Sequence, residues 1–151
     1  TPLLEQARDE AIAALAAESV GAMQAAFDLT IDYLKQREQF GGPIGRFQAL
    51  QHRAAEMLVE LEQARSMAYL AAAVLEEPDL NERRKQLSAV KVQLARSGRF
   101  IAEQAIQLHG GIGVTKEYAV AHYYARLMMM DLQFGDAEFH LNRIAAAGGL
   151  A

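Results

Sequence analysis

Only three prolines interrupt this chain of 151 residues: Pro2, Pro43 and Pro78. A proline ring clashes with the preceding helical turn and removes a backbone donor, so prolines mark places where a helix interior cannot run. Their positions leave long stretches free to be helical, and 29 alanines fill those stretches with the best helix former. A first apolar stripe (Ile12, Leu15, Ala16, Val20, Met23, Phe27, Ile31, Leu34) recurs every three or four residues from about residue 4 to 36. A second (Phe47, Leu50, Ala54, Met57, Leu58, Leu61, Ala64, Ala68, Leu75) spans about 47–75. After Glu76-Glu77-Pro78-Asp79, with Asp79 or Asn81 as candidate cap, a third carries Leu87, Leu94, Ile101, Ala105 and Leu108. Gly98 in its middle reads as a site of close helix packing. A fourth helix is expected from about Lys116 to Ala147. Nothing alternates with period two for long enough to build a sheet. The spacing predicts an all-α, antiparallel up-down four-helix bundle with helices roughly 45 Å long.

Composition removes several classes of function. With no cysteine there is no disulfide framework, zinc finger or thiol nucleophile, and a cytoplasmic setting is the default expectation. The net charge is −4, with six basic and ten acidic side chains in residues 1–75 and nine of each in residues 76–151. Neither half has the basic excess that nucleic-acid binding needs. The longest apolar runs have seven residues, against about 20 for a membrane span. A di-iron bundle needs a Glu three residues before a His on each of two helices. The positions three before His52, His109, His122 and His140 hold Ala49, Ile106, Ala119 and Ala137, so no metal site is expected. P-loop, HExxH and GxSxG patterns are also missing. Met128–Met130 and Tyr123-Tyr124 read as core or interface, and Arg83-Arg84-Lys85 as a solvated face near a helix start.

What remains is concentrated in two breaks. Arg37-Glu38-Gln39-Phe40-Gly41 follows the first helix, and Phe47-Gln48 opens the second. Gln107-Leu108-His109-Gly110-Gly111-Ile112-Gly113 closes the third. The first break is longer and richer in glycine than a helical hairpin requires.

Together and in this order, these stretches resemble the C-terminal helical domain of the acyl-CoA dehydrogenase flavoenzymes, over essentially the whole chain. The resemblance implies that the chain is one domain, 1–151, without the family's N-terminal helical and middle β domains. It implies FAD held across a subunit boundary in a homo- or hetero-oligomer whose core is made of such bundles. Arg37 would sit at the pyrophosphate, flanked by Gln39 and Phe40, because a guanidinium offers a planar donor fork to phosphate oxygens. Phe47 and Gln48 would line the adenosine portion. Gln107, Gly110 and Gly111 would contact the neighbouring subunit's dinucleotide. The implied reaction oxidises an acyl-CoA to its trans-2-enoyl-CoA, with a carboxylate base taking the α-proton.

That base is not where the family usually has it. Phe134 occupies the place of the common glutamate, before Gly135-Asp136, and the alternative place in the first helix is Ala11. Asp131, Asp136 and Glu138 are the nearby acids that could substitute. Another reading is the branch acting on steroid-side-chain CoA thioesters, in which unlike subunits share sites and one can lack a base. A third is a bundle that only assembles, its loop residues being relics. Alone, the domain is expected to bind FAD poorly and to be inactive.

Overall fold

The computed structural model describes residues 2–149. The elements are α1 (Pro2–Gln36), a two-residue β-hairpin pair β1 (Glu38–Gln39) and β2 (Gly42–Pro43), α2 (Gln48–Ala73), α3 (Leu80–His109), α4 (Ala119–Leu132) and α5 (Ala137–Ala146). Short 3₁₀ turns cover Ile44–Arg46, Val74–Glu76 and Gly110–Val114. The four-helix bundle expected from periodicity is present, with its fourth segment divided into α4 and α5.

Side-chain partners fix the helix directions. Glu5 pairs with Arg84 near the starts of α1 and α3, and Tyr33 stacks on His109 near their ends at 4.5 Å, so these two run parallel. Arg53 meets Gln104 at 2.8 Å and Gln63 meets Gln93 at 3.1 Å, which sets α2 antiparallel to α3. Tyr33 near the end of α1 meets Tyr118, just before α4, with centroids 6.5 Å apart, while Ser19 reaches Met130 near the end of α4, so α4 runs against α1. Arg126 also grips Glu18 through two bonds of 2.7 and 2.8 Å. α1 and α3 form the central pair, α2 and α4 each pack against both, and α5 packs along α3.

The core follows the stripes. Ile12, Ala16, Met23, Met57, Leu61, Leu87 and Ile101 are fully enclosed. Leu58 departs from its stripe and is 45% exposed, because Met57 and Leu61 already fill the inward face of that turn. By length and composition α1 is apolar enough to cross a membrane, with mean hydropathy 1.2 over its most apolar window. In the fold that face is turned onto α2, α3 and α4. Asp79 is the cap of α3, accepting from the backbone N–H of Asn81 at 2.8 Å. The Arg83-Arg84-Lys85 run is half-buried rather than solvated: Arg83 bonds the Glu77 carbonyl, Arg84 pairs with Glu5 and Lys85 with Glu82.

Gly98 is buried between Met23 and Leu127, yet a Cβ built there would meet their side chains at 3.6 Å, an ordinary contact. Close packing therefore does not demand glycine. Gly98→Ala should stabilise the fold by about 0.5–1 kcal/mol, through lower unfolded-state entropy and better helix propensity. Urea denaturation would show this; a clear loss of stability would mean the helices approach more closely than described.

The fourth helix breaks where the sequence gives neither a proline nor a lapse in apolar spacing. Lys91 on α3 is 3% exposed, and its Nζ donates to the carbonyls of Met130 (2.8 Å), Asp131 (3.1 Å) and Gln133 (2.8 Å). A buried ammonium thus takes the carbonyls that end α4. Phe134 and Gly135 then turn through positive φ (61° and 101°), and the Asp136 carboxylate caps α5 through the Phe139 N–H at 2.8 Å. Alanine at Gly135 would drive its Cβ into the Phe139 ring. Burial pushes the Lys91 pKa down, while Asp131 and Asp136 oppose the shift.

Candidate cofactor corner

The end of the bundle where α1 and α3 finish carries both stretches singled out from the sequence. At the end of α1 the chain turns sharply. Glu38 pairs with Pro43 and Gln39 with Gly42, leaving Phe40-Gly41 as a two-residue turn with φ of 54° and 85°. Two consecutive positive φ values match the twist of a tight hairpin. Glycine accepts this freely, whereas a bulky side chain such as Phe40 is strained by roughly 1–2 kcal/mol. Phe40 is also 83% exposed, so nothing in its own core explains its placement.

Arg37 sits at the base of this hairpin. Its carbonyl accepts from the Ile44 N–H at 2.8 Å, and its own N–H bonds back to Tyr33. The side chain is exposed and forms no ion pair among the described residues. Beyond the hairpin, the 3₁₀ turn lies hard against α1, where a Cβ on Gly45 would come within 2.9 Å of the Leu34 carbonyl. Phe47 and Gln48 follow at the start of α2, both exposed. Phe47 stands edge-on to Phe40 with centroids 6.0 Å apart, making one small aromatic face. Arg46, which was not among the site residues expected from the sequence, folds back over this face. It donates to the carbonyls of Phe40 and Gly41 and lies 5.2 Å over the Phe47 ring.

The second stretch ends α3. His109 is buried, packs between Tyr33 and Tyr118 with centroids at 4.5 and 5.0 Å, and donates from Nδ1 to the Ala105 carbonyl at 2.7 Å. It locks the ends of α1 and α3 to the start of α4, and burial pushes its pKa down. On the outer side Gln107, Gly110 and Gly111 are exposed, and nothing lies within 4 Å of where a Cβ on either glycine would stand. The structure therefore brings Arg37, Gln39, Phe40, Phe47, Gln48, Gln107, Gly110 and Gly111 to one end of the bundle. It leaves all of them on the outer surface, not folded into a pocket of this chain. By type the set suits a dinucleotide: a free guanidinium and open backbone for phosphates, amides for polar base edges, and aromatic faces for stacking.

The residues considered as bases lie toward the other end. Phe134 is at the α4–α5 junction, 44% exposed. Asp131 accepts from the Ala137 N–H at 3.2 Å and Asp136 caps α5, so both carboxylates hold backbone. Glu138 is exposed in the first turn of α5. Ala11 lies in α1, part-buried. The junction is pinned by His140, fully buried, whose Nε2 meets the Phe134 carbonyl at 3.1 Å and whose Nδ1 meets Ser88 Oγ at 3.0 Å.

Residues 6–149 match the family description "Acyl-CoA dehydrogenase, C-terminal domain". The chain belongs to the acyl-CoA dehydrogenase family. Over 133 residues it is 37% identical to the mitochondrial short/branched chain specific acyl-CoA dehydrogenase of Bos taurus, covering 87% of this chain and 30% of that one. The glutaryl-coenzyme A dehydrogenase–glutaryl-CoA complex superposes with a TM-score of 0.88 at 33% identity, covering 97% of this chain and 37% of that chain. A steroid ACAD superposes at 0.86 with 33% identity, over 92% and 38%. The chain thus spans about a third of the length of the relatives it matches. By name these relatives are dehydrogenases of acyl-CoA and glutaryl-CoA thioesters.

Proposed function

We propose that this chain is the part of an acyl-CoA dehydrogenase-like flavoprotein that holds one end of FAD for a neighbouring subunit and forms the oligomer core. The observation carrying this is the unpaired Arg37 guanidinium beside a strained, exposed hairpin, at the same end as the open Gly110-Gly111 backbone. A plain bundle gains nothing from either feature. A group brought by a second protomer would use both, which accounts for a set of recognition residues left facing outward.

In this arrangement Arg37 neutralises and orients the pyrophosphate, with Gln39 and Phe40 beside it. Phe47 and Gln48 bound the adenosine portion, and Gln107 with Gly110 and Gly111 lets the backbone approach the dinucleotide closely. FAD, when bound, supplies the acceptor for the β-hydrogen as an acyl-CoA becomes a trans-2-enoyl-CoA. The acyl-CoA and flavin-ring contacts come from further domains, and the assembly is a homo- or heterotetramer working in the cytoplasm.

The α4–α5 junction favours a second reading of the active site. With Phe134 in the usual place of the base and Asp131 and Asp136 both engaged with backbone, this subunit lacks its own proton acceptor unless Glu138 serves. A base-less subunit paired with an unlike partner, as in steroid-side-chain degradation, fits that pattern. The likeness to a steroid ACAD supports it.

Arg37→Ala tests the cofactor role. In the native assembly, flavin affinity should fall about 10- to 30-fold, the worth of one charge-assisted phosphate contact of about 1.5–2 kcal/mol. Flavin that co-purifies equally well with the variant would leave the chain as an assembly module only.

A further inference from the structure

We infer that Arg46 is a positioning residue for the cofactor corner, holding Phe40 and Phe47 as one preset aromatic face beside Arg37. This rests on the FAD reading above and adds a residue to it.

The argument starts from Phe40. An exposed phenylalanine at φ 54° has only the edge of the Phe47 ring against it, and that single contact does not fix its backbone. Arg46 supplies the missing restraint. Its guanidinium donates to the carbonyls of both turn residues, Phe40 and Gly41, and its central carbon lies 5.2 Å from the centroid of the Phe47 ring, over its face. One side chain therefore ties the hairpin tip to the residue preceding α2. Arg46 has a firm base from which to do this. It ends the 3₁₀ turn that is wedged against Leu34 through Gly45, and Gln51 Nε2 bonds the Gly45 carbonyl at 2.9 Å. Only a planar fork with several donors can bridge two carbonyls and stack on a ring together. Lysine keeps the charge but loses the stacking and one of the two bonds. A face already set before the ligand arrives spares the ordering cost of binding, so Arg46 acts on affinity through Phe40 and Phe47 without touching the cofactor.

The test compares Arg46→Gln, Arg46→Lys and Arg37→Ala in the native assembly, reading flavin affinity, together with Phe40–Phe47 ring contacts by NMR on the full chain. Arg46→Gln should weaken flavin binding about fivefold or more and abolish the ring–ring contact, with the thermal midpoint close to that of the parent. Arg46→Lys should fall between the two. Normal affinity in Arg46→Gln alongside weakened binding in Arg37→Ala would overturn the inference and leave the FAD reading intact. Weakened binding with the ring contact preserved would also overturn it, since Arg46 would not be acting through the hairpin. Undiminished binding in both Arg46→Gln and Arg37→Ala would bring down the FAD reading itself.

Discussion

Lys91→Met should lower the unfolding free energy by about 2–3 kcal/mol, although it replaces a buried charge by an apolar side chain of similar length. Burying an ammonium is costly, and relief of that cost would by itself stabilise the variant. The opposing effect is larger, because three carbonyls at the end of α4 lose their shared donor, and that of Met130 is buried where water cannot replace it. Such unpaired acceptors cost roughly 1–3 kcal/mol each when buried. The damage should be local as well as global. Amide hydrogen exchange should accelerate from Gln133 to Phe139 before it does so in α2. A variant as stable as the parent, with the junction still protected, would show that α4 ends there for reasons other than Lys91.

The second large effect is on pH. Burial, together with Lys91, Arg143 and Arg8, pushes the His140 pKa down to about 4 from the ordinary 6.5. Neutral His140 carries one proton. Since the Phe134 carbonyl can only accept, that proton sits on Nε2, and the single Ser88 hydroxyl proton is shared between Nδ1 and the Arg84 carbonyl. Between pH 6.5 and about 4 the unfolded chain binds a proton that the folded chain refuses, so stability is full above pH 6.5 and falls as pH drops through that window. A shift of this size corresponds to a loss of about 3 kcal/mol. Denaturation midpoints at pH 7.5 and 4.5 should therefore separate more for the parent than for His140→Gln, which keeps an amide donor for Phe134 without the titration. Equal separation would remove His140 as the cause. Burial of His109 acts in the same direction, so the variant should retain part of the acid sensitivity.

These two residues also explain where reading the sequence succeeds and fails. α1 to α3 were legible because each has an uninterrupted apolar stripe and stops at a proline or glycine cluster. The division of the fourth segment was not. Lys91 lies some forty positions before the carbonyls it holds and Ser88 fifty-two before the His140 ring it meets, and Leu127, Met130 and Ile144 keep helical spacing across the gap. The hairpin was foreshadowed by a loop too elaborate for two antiparallel helices, and the structure supplies the reason in the positive φ of Phe40 and Gly41. Arg46 could not have been picked out, since an arginine on a surface turn looks alike whether it points to solvent or clamps a strained carbonyl. Gly98 showed the opposite error, suggesting a tightness that the contacts do not require.

The most direct test of the shared cofactor corner is an experimental structure of the assembled, flavin-bound oligomer. Arg37 of one protomer should lie within hydrogen-bonding reach of a pyrophosphate oxygen of flavin seated mainly in its neighbour, with Gly110 and Gly111 against the same dinucleotide. An assembly in which the hairpin and the end of α3 face open solvent, with the flavin enclosed by other residues, would contradict the account.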